Sequence, residues 1–198
     1  MERDRPLGRA DLDPDPALQF ARWFAEAGGL VRVPEAMALA TADAAGAPSV
    51  RMVLLKQADE SGLVFYTHYT SRKGRELEAN PRAALLFYWD PLGRQVRVEG
   101  RVERVPPAES DAYFETRPHG ARVSALASRQ SEVIESREAL EARVAALAGG
   151  DVARPEWWGG FRLVPESWEF WQHRESRLHD RFRYRLADGA WVTERLSP

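Results

Sequence analysis

Residues 171–181 read Trp171-Gln-His-Arg-Glu-Ser-Arg177-Leu-His179-Asp180-Arg181, and an apolar-rich run leads into them. Side chains alternate in an extended segment, so Arg177, His179 and Arg181 are predicted to share one face, with Asp180 pointing away. Two planar cations beside a group that titrates near neutrality favour an anionic, oxidisable small molecule. The alternative is an exposed arginine-rich strand without a ligand. Evidence from the rest of the chain is needed to choose between the two interpretations.

The composition is that of one globular domain: 198 residues, 44% hydrophobic and 29% charged. The net charge of −2 creates no overall field that would attract nucleic acid or an anionic membrane. The absence of cysteine excludes disulfides, thiolate metal sites and thiol catalysis. The four histidines lack metal-site spacing, so no metal is expected. No apolar run approaches bilayer length and no signal core follows Met1, so a cytoplasmic protein is expected.

The first half of the chain is read as strands with helices at the margins. Residues 1–14 are polar and are expected to form a flexible arm, followed by a single domain over residues 15–198. Asp15-Pro16 begins a helix with an apolar stripe, and Ser71 caps a second helix. Strands are predicted over residues 37–41, 49–56, 63–67, 83–89 and 95–103, the first three as an antiparallel meander.

The second half changes period at Pro107. Helices are predicted over residues 107–116, 122–130 and 137–147, and strands over residues 161–164, 167–172, 178–184 and 191–196. Asp188-Gly189 fits the hairpin turn between the last two strands. The order indicates an α+β protein built on an antiparallel barrel or sheet with peripheral helices. No glycine-rich nucleotide fingerprint is present.

Two basic clusters are candidates for anion binding. Ser71-Arg72-Lys73 stands at a helix start, where amide donors and positive charge converge. Tyr113 and Arg117 lie four residues apart and are predicted to share a helix face. Each cluster alone has an ordinary explanation, a solvated helix end or a tyrosine packed on an arginine stem.

The lysines and the aromatic residues add further candidates. Of the 28 lysine and arginine residues only Lys56 and Lys73 are lysine. Arg51 and Lys56 are an odd number of residues apart, so an ideal strand aims them at opposite faces, toward two different anions, unless a bulge rotates one. The seven tryptophans are explained by core packing, which is the usual role of this residue. The more specific interpretation is that some of them contact a planar cofactor or a ring substrate. Four of them, at positions 157, 158, 168 and 171, are placed around the start of the opening stretch.

Nine motifs in order resemble one family. They are Arg51-Met-Val-Leu-Leu-Lys56, Phe65-Tyr66-Thr67, Ser71-Arg72-Lys73, Gln95-Val, Tyr113-Phe-x-x-Arg117-Pro118, Gln130-Ser131, Trp158-Gly-Gly-Phe-Arg162, Phe170-Trp171-Gln172 and Arg177-Leu-His-Asp-Arg181. The ordered set, from about Asp15 to Pro198, is similar to the pyridoxamine 5′-phosphate oxidase family.

The resemblance implies a split β-barrel that binds FMN, and a homodimer with FMN at the subunit interface. It implies oxidation of pyridoxamine or pyridoxine 5′-phosphate to pyridoxal 5′-phosphate. Hydride would pass from C4′ of the substrate to N5 of the flavin, and dioxygen would reoxidise the flavin to give hydrogen peroxide. Flavin chemistry belongs to the cofactor, so the protein supplies orientation and electrostatics.

The resemblance also implies roles for individual residues. The expected FMN-binding residues are Arg51, Met52, Val53, Leu54, Leu55, Lys56, Tyr66, Thr67, Arg72, Lys73, Gln95, Gln130, Ser131, Trp171 and Arg181. The expected substrate-binding residues are Lys56, Tyr113, Arg117, Arg177, Leu178 and His179. Arg177 and His179 would lie over the substrate ring as the catalytic pair.

The chain departs from the family pattern in two places. The family has a serine four residues after the arginine that corresponds to Arg117, and this chain has Ala121, so one hydrogen bond to the substrate phosphate is expected to be missing unless Ser124 or a water replaces it. The N-terminal arm is also short. Two other functions stay open: a split-barrel flavin oxidase acting on another ring, such as a phenazine-type precursor, and a non-catalytic FMN or pyridoxal-phosphate binding protein.

Overall fold

The computed structural model describes residues 4–198. Within that range five α-helices surround an antiparallel sheet of nine strands. The helices are α1 (Pro16–Gly28), α2 (Arg72–Ala79), α3 (Pro107–Thr116), α4 (His119–Ala127) and α5 (Arg137–Leu147). The strands are β1 (Ala36–Ala42), β2 (Pro48–Leu54), β3 (Gln57–Asp59), β4 (Gly62–His68), β5 (Arg82–Trp89), β6 (Arg94–Arg104), β7 (Trp158–Gln172), β8 (Asp180–Ala187) and β9 (Ala190–Leu196). The predicted α+β class is confirmed.

The strand order differs from the predicted meander. The sheet runs β2-β1-β5-β6-β7-β4-β3, with β8 on β7 and β9 on β8. β1 and β2 pair as expected, but β4 pairs with β3 and β7 instead of with β2. The turn at Asp59–Gly62 closes only the short β3–β4 hairpin. The predicted three-stranded meander is therefore wrong.

One long strand organises the sheet. β7 replaces the two strands predicted over residues 161–164 and 167–172, because the chain continues through Pro165 without leaving the sheet. β6 pairs along it, with a register shift between Glu99 and Gly100 opposite Pro165. The other edge of β7 is shared: β4 pairs with its first part and β8 with its last part. Each half of β7 therefore has a different neighbour and carries a different set of site residues.

The main core lies between α1 and the sheet. Asp15 caps α1 by accepting a hydrogen bond from the amide of Ala17. The predicted stripe buries Phe20, Trp23 and Ala27, whereas Leu18 stays exposed. Phe20 packs against the rings of β5 and β7, and the Trp23 ring meets Phe170 edge-on. These aromatic residues therefore pack in the core, which agrees with the core-packing interpretation of the tryptophans.

Residues 4–14, expected to be part of a flexible arm, lie along the C-terminal strands. Leu7 is buried in the main core, and its amide donates to Asp180 at 3.1 Å. The Tyr184 hydroxyl donates to the Asp13 carbonyl at 2.6 Å. Residues 1–3 of the expected arm lie outside the described residues.

The segment before β8 corrects the opening prediction. Residues 175–177 form a 3-10 turn, and Ser176 and Arg177 have positive φ values of 57° and 61°. β8 begins only at Asp180, so Arg177, His179 and Arg181 are not three alternate residues of one strand. Trp171 and Arg181 do face each other, as register partners on β7 and β8. Among residues 4–198 we find no helix long and apolar enough to cross a membrane.

Candidate functional site

A cavity of about 550 Å³ opens between the end of β2, β4 and the helices α3 and α4. Its wall brings together ten of the residues predicted for cofactor or substrate, from six separate parts of the chain. These are Met52, Val53, Leu54, Lys56, Tyr66, Thr67, Lys73, Tyr113, Arg117 and Gln130. Part of the predicted FMN set and part of the predicted substrate set therefore meet in one cavity.

Lys73 is the buried cation of this cavity. It lies in the first turn of α2, which Ser71 caps by accepting from the Gly74 amide. The Nζ atom donates to Gln130 Oε1 at 2.7 Å and to Thr67 Oγ1 at 3.1 Å. Burial and the nearby Arg51 lower the pKa of Lys73 to about 8, against a smaller opposing effect of Glu76. A group anchored in this way is a charged donor that an anionic ligand can recruit.

Four further residues predicted for FMN binding lie outside this wall: Arg51, Leu55, Arg72 and Ser131. Arg51 turns from the cavity toward Glu76, which also binds Arg72. Leu55 is buried in the main core. Ser131 follows Gln130 in the segment after α4, with a positive φ of 74°. The helix predicted to reach Gln130 ends at Ala127, so Gln130 approaches Lys73 from a loop.

A stack of aromatic rings forms one side of the cavity. The Tyr66 ring stacks on Tyr113 with centroids 3.9 Å apart, and on Trp158 at 5.4 Å. Tyr66 can lie flat on β7 because its register partner is Gly160, where a Cβ atom would come within 2.9 Å of the ring. Burial, helped by Glu109, raises the pKa of Tyr66 to about 12, so its hydroxyl stays protonated and able to donate.

The second cation of the cavity is Arg117. Its guanidinium lies 4.8 Å from the Trp158 ring centroid, and burial lowers its pKa. Arg117 is the residue after α3 and adopts an extended conformation, so it joins Tyr113 in the wall without being part of the helix. Its Nη1 atom is buried without a hydrogen-bond partner among the described residues. Lys56, which follows β2, lines the same cavity.

Some lining residues were missed in the sequence. His68 is 5% exposed, and its Nδ1 has no hydrogen-bond partner within residues 4–198. Burial, with Lys73 and Arg117 nearby, lowers the pKa of His68, so the ring is neutral at pH 7. Strand alternation from Tyr66 was a signal that could have found it. Ser124, considered in the sequence as a replacement phosphate ligand, also lines the wall, and the residues missed without such a signal are Thr116, Pro118, Ala125 and Ser128.

The remaining predicted residues form a second group, the C-terminal cluster, at the other end of β7. It consists of Gln95, Trp171, Arg177, Leu178, His179 and Arg181. The rings of Trp171 and His179 have centroids 4.5 Å apart, and Gln95 is the register partner of Trp171 on β6. Arg181 Nε donates to buried Glu169 at 2.9 Å. Arg177 and Leu178 are exposed.

His179 has a defined tautomer in this cluster. Its Nδ1 accepts a hydrogen bond from the Arg174 amide at 3.1 Å, so a neutral ring carries its proton on Nε2. Burial lowers its pKa, and so do His173, Arg177 and Arg181. His173 is itself paired with Asp4 at 2.8 Å. The cluster therefore presents a neutral N–H donor and an exposed guanidinium.

The cavity and the C-terminal cluster lie far apart in one chain. Trp158 belongs to the cavity and Trp171 to the cluster, and they stand near opposite ends of β7. At roughly 3.3 Å per residue, about 40 Å of strand separates them. The four tryptophans at positions 157, 158, 168 and 171 therefore divide between the two ends of β7, against the single grouping expected from the sequence. Among residues 4–198 no group of three or more potential metal ligands is found.

Comparison with known proteins identifies the chain's relatives. The family model described as pyridoxamine 5′-phosphate oxidase matches residues 25–149, and the one described as pyridoxine 5′-phosphate oxidase C-terminal dimerisation region matches residues 158–198. The pyridoxine/pyridoxamine 5′-phosphate oxidase of Rubrobacter xylanophilus is 58% identical, covering 97% of this chain and 91% of that protein. The protein of the same name from Paraburkholderia phymatum is 56% identical, with 97% and 93% covered.

Two solved structures resemble the chain. PhzG from Burkholderia lata 383, in complex with tetrahydrophenazine-1-carboxylic acid, superposes with a TM-score of 0.94 at 36% identity, covering 99% of this chain and all of that one. A pyridoxamine 5′-phosphate oxidase-related, FMN-binding protein from Nostoc punctiforme has a TM-score of 0.76 at 19% identity, with 94% and 100% covered. The second likeness bears on the fold alone and confirms the predicted split barrel. On the family models and the identities, the chain belongs to the pyridoxamine 5′-phosphate oxidase family.

Proposed function

We propose that this protein is an FMN-dependent oxidase that converts pyridoxamine or pyridoxine 5′-phosphate to pyridoxal 5′-phosphate. The observation that supports the proposal is the cavity with two cationic sites on its wall. One is Lys73 with its partners Thr67 and Gln130, and the other is Arg117 on Trp158 with Lys56. A phosphorylated cofactor and a phosphorylated substrate need two anion sites in one cavity.

The residues present fit FMN. Lys73 would receive its phosphate, together with Arg51, Arg72 and Ser131 at the same end. The His68 Nδ1 and Arg117 Nη1 atoms, buried without partners among the described residues, are polar groups that a ligand in the cavity can satisfy. When bound, FMN would supply a two-electron acceptor that takes hydride from C4′ of the substrate and reduces dioxygen to hydrogen peroxide.

The chain's own residues would bind and orient the substrate. Lys56, Tyr113 and Arg117 would hold its phosphate, and the Tyr113 ring is already fixed by its stack on Tyr66. Arg177 would stabilise negative charge at the substrate's oxygen or amine without changing its own protonation. His179 would donate a hydrogen bond from Nε2, which its hydrogen bond to the Arg174 amide leaves free.

The distance between the two groups supports a homodimer with composite sites. Arg177 and His179 cannot reach a ligand in the cavity of their own chain if about 40 Å of strand separates the two groups. We infer that a second copy supplies them, with FMN at the subunit interface. The apolar outer face of β2 suits that interface, because Val50 and Met52 are 67% and 65% exposed beside the cavity.

The test is anaerobic reduction of the bound flavin. The purified protein is expected to be yellow, and pyridoxine or pyridoxamine 5′-phosphate should bleach the flavin absorbance in the absence of oxygen. Admitting oxygen should restore the colour and release one equivalent of hydrogen peroxide. If the protein takes up FMN but is bleached by neither compound, the proposed reaction is wrong, and the protein is either a binding protein or an oxidase of another ring.

A second candidate is oxidation of another ring, such as a phenazine precursor. The resemblance to PhzG and the alanine at position 121 favour it. The two candidates differ in their need for a substrate phosphate. Faster bleaching by unphosphorylated reduced ring compounds than by pyridoxine 5′-phosphate would select the second candidate.

A further inference from the structure

Glu76 is a buried carboxylate that binds two arginines beside the cavity. It lies on α2 and is 5% exposed. Its Oε1 accepts from Arg72 Nε at 2.8 Å, and its Oε2 lies 3.2 Å from Arg51 Nη2. The hydroxyls of Thr41 and Ser49 donate to the same Oε2 at 2.5 Å each. One side chain thus ties β1, β2 and α2 together.

The carboxylate is ionised at neutral pH. Burial works against ionisation, but hydrogen bonds from Ser49, Thr41, Arg72 and Arg51 outweigh it and hold the pKa of Glu76 at about 2. The charge is therefore present at neutral pH. It is needed there, because Arg51, Arg72 and Lys73 are otherwise three cations brought close together.

The Arg51 guanidinium is held by this network and by one backbone carbonyl of β1. Nη1 donates to Thr41 Oγ1 at 2.5 Å and to the Leu39 carbonyl at 3.2 Å, and Nη2 donates to Ser49 and Glu76. Arg72 uses its Nε for Glu76, and its side chain is 61% exposed, which leaves its terminal amino groups open to a ligand. Two flexible cations are thus held in fixed orientations.

We propose that Glu76 is a positioning residue that holds Arg51 and Arg72 ready for the phosphate of the flavin nucleotide. The inference rests on the proposed function, which assigns both arginines to FMN. Fixing the two side chains before binding removes an ordering cost that each flexible arginine otherwise adds when the phosphate binds. Glu76 itself does not contact the ligand in this arrangement.

The sign of the effect separates orientation from charge. A carboxylate near a phosphate repels it, so removing the charge alone should tighten FMN binding. Losing the orientation of two guanidiniums should weaken it. The proposal requires the second effect to dominate, and it requires the effect to depend on the phosphate group.

The experiment titrates the apoprotein with FMN and with riboflavin, which lacks the phosphate, and follows flavin fluorescence. Glu76→Gln is expected to raise the Kd for FMN by about 10- to 100-fold, the range set by hydrogen bonds to charged groups. Riboflavin affinity should stay the same, which also reports that the variant is folded. Glu76→Asp keeps the charge but is too short to span both arginines, so it should lose a smaller part of the preference for FMN.

Glu78→Gln is the matched control, because Glu78 is on the same helix and, within residues 4–198, pairs only with Arg104 at the surface. It should bind both flavins as the unchanged protein does. Tighter or unchanged FMN binding in Glu76→Gln, or an equal loss of FMN and riboflavin, overturns the proposal. An unchanged FMN preference in Glu76→Asp also overturns it, whether or not Glu76→Gln folds. An unchanged protein that binds neither flavin contradicts the proposed function instead.

Discussion

The Nζ atom of Lys73 lies 2.7 Å from Oε1 of Gln130, which joins the first turn of α2 to the loop after α4. The contact spans 57 residues of sequence and closes one side of the cavity. It holds a buried cation in a polar pocket that is only partly neutralised. Lys73 is therefore the group whose protonation should govern the binding of a phosphorylated cofactor.

FMN affinity should fall as the pH rises through about 8. The pKa of Lys73 is lowered to about 8 in the free protein, so above that pH the phosphate must either bind a neutral amine or recruit a proton. The loss can approach about tenfold per pH unit until the pKa of the bound state is reached. Fluorescence titrations between pH 7 and 9.5 would measure it.

Lys73→Gln should bind FMN weakly at pH 7 and show little further loss up to pH 9.5. A wild-type affinity that does not change over this range would contradict the assignment of Lys73. The stability of the apoprotein should change with pH in the opposite direction to the FMN affinity. Unfolded chains keep the lysine proton to about 10.5, so this group makes the folded apoprotein more stable as the pH rises from 8.

Arg177→Ala should reduce turnover strongly while the protein keeps its flavin. Arg177 is exposed, lies in the turn before β8 and is far from the cavity wall of its own chain. We expect a fall in kcat of at least about 100-fold if it stabilises charge at the reacting carbon. Arg143→Ala, at an exposed position of α5, is the control. Loss of FMN with normal activity per bound flavin would show a cofactor-binding role instead.

Ala121→Ser should improve binding of the substrate phosphate. The first turn of α4 lies beside the cavity, and Ser124, the nearby hydroxyl in its wall, already donates to the Gly120 carbonyl at 2.8 Å. A new hydroxyl on a charged ligand is worth about 1.5–3 kcal/mol when well aligned. The KM for pyridoxine 5′-phosphate should therefore fall by about tenfold, with kcat little changed. An unchanged KM would indicate that Ser124 or Ser128 already serves the phosphate.

Gly160→Ala should destabilise the fold and weaken flavin binding together. The added Cβ atom would lie 2.6 Å from Val105 Cγ2 and 2.9 Å from Tyr66 Cε1, so the tyrosine stack must shift. Overpacking of this kind costs about 1–3 kcal/mol, measurable by urea unfolding. Gly120→Ala is the control, since its added Cβ meets no atom of the described residues within 4 Å and alanine is favoured in helices.

The sequence predicted local structure well because its signals are local. Asp15 and Ser71 cap the helices expected from their side chains, and Asp188-Gly189 turns the last hairpin with positive φ at both residues. Strand pairing is not local. The departure of β4 from β2 and the unbroken course of β7 through Pro165 depend on which distant strands become neighbours.

The site was predicted in part for the same reason. The ordered motifs contain the ten predicted residues that line the cavity, but motif order carries no information about which chain reaches which ligand. The alternation expected for Arg177, His179 and Arg181 failed because Ser176 and Arg177 adopt the left-handed region. The sequence offers no signal for the role of Glu76, since nothing local predicts that Thr41 and Arg51 converge on it.

The composite site predicts that two inactive variants can restore each other. Arg117→Ala removes a cation from the cavity, and Arg177→Ala removes one from the C-terminal cluster. In a heterodimer of the two, one site carries both substitutions and the other carries neither, because each site takes its cavity from one chain and its cluster from the other. The purified heterodimer should therefore show about half the wild-type activity per dimer, since one of its two sites is intact.

Two different affinity tags would isolate that heterodimer from co-expressed chains, and both homodimers should be nearly inactive. The arrangement within one chain gives a different outcome, because each subunit of the heterodimer would then lack one essential arginine. Activity no higher than that of the homodimers would therefore place Arg117 and Arg177 at one ligand within a single subunit. That result would require β7 to bring its two ends together, against the roughly 40 Å of strand between Trp158 and Trp171.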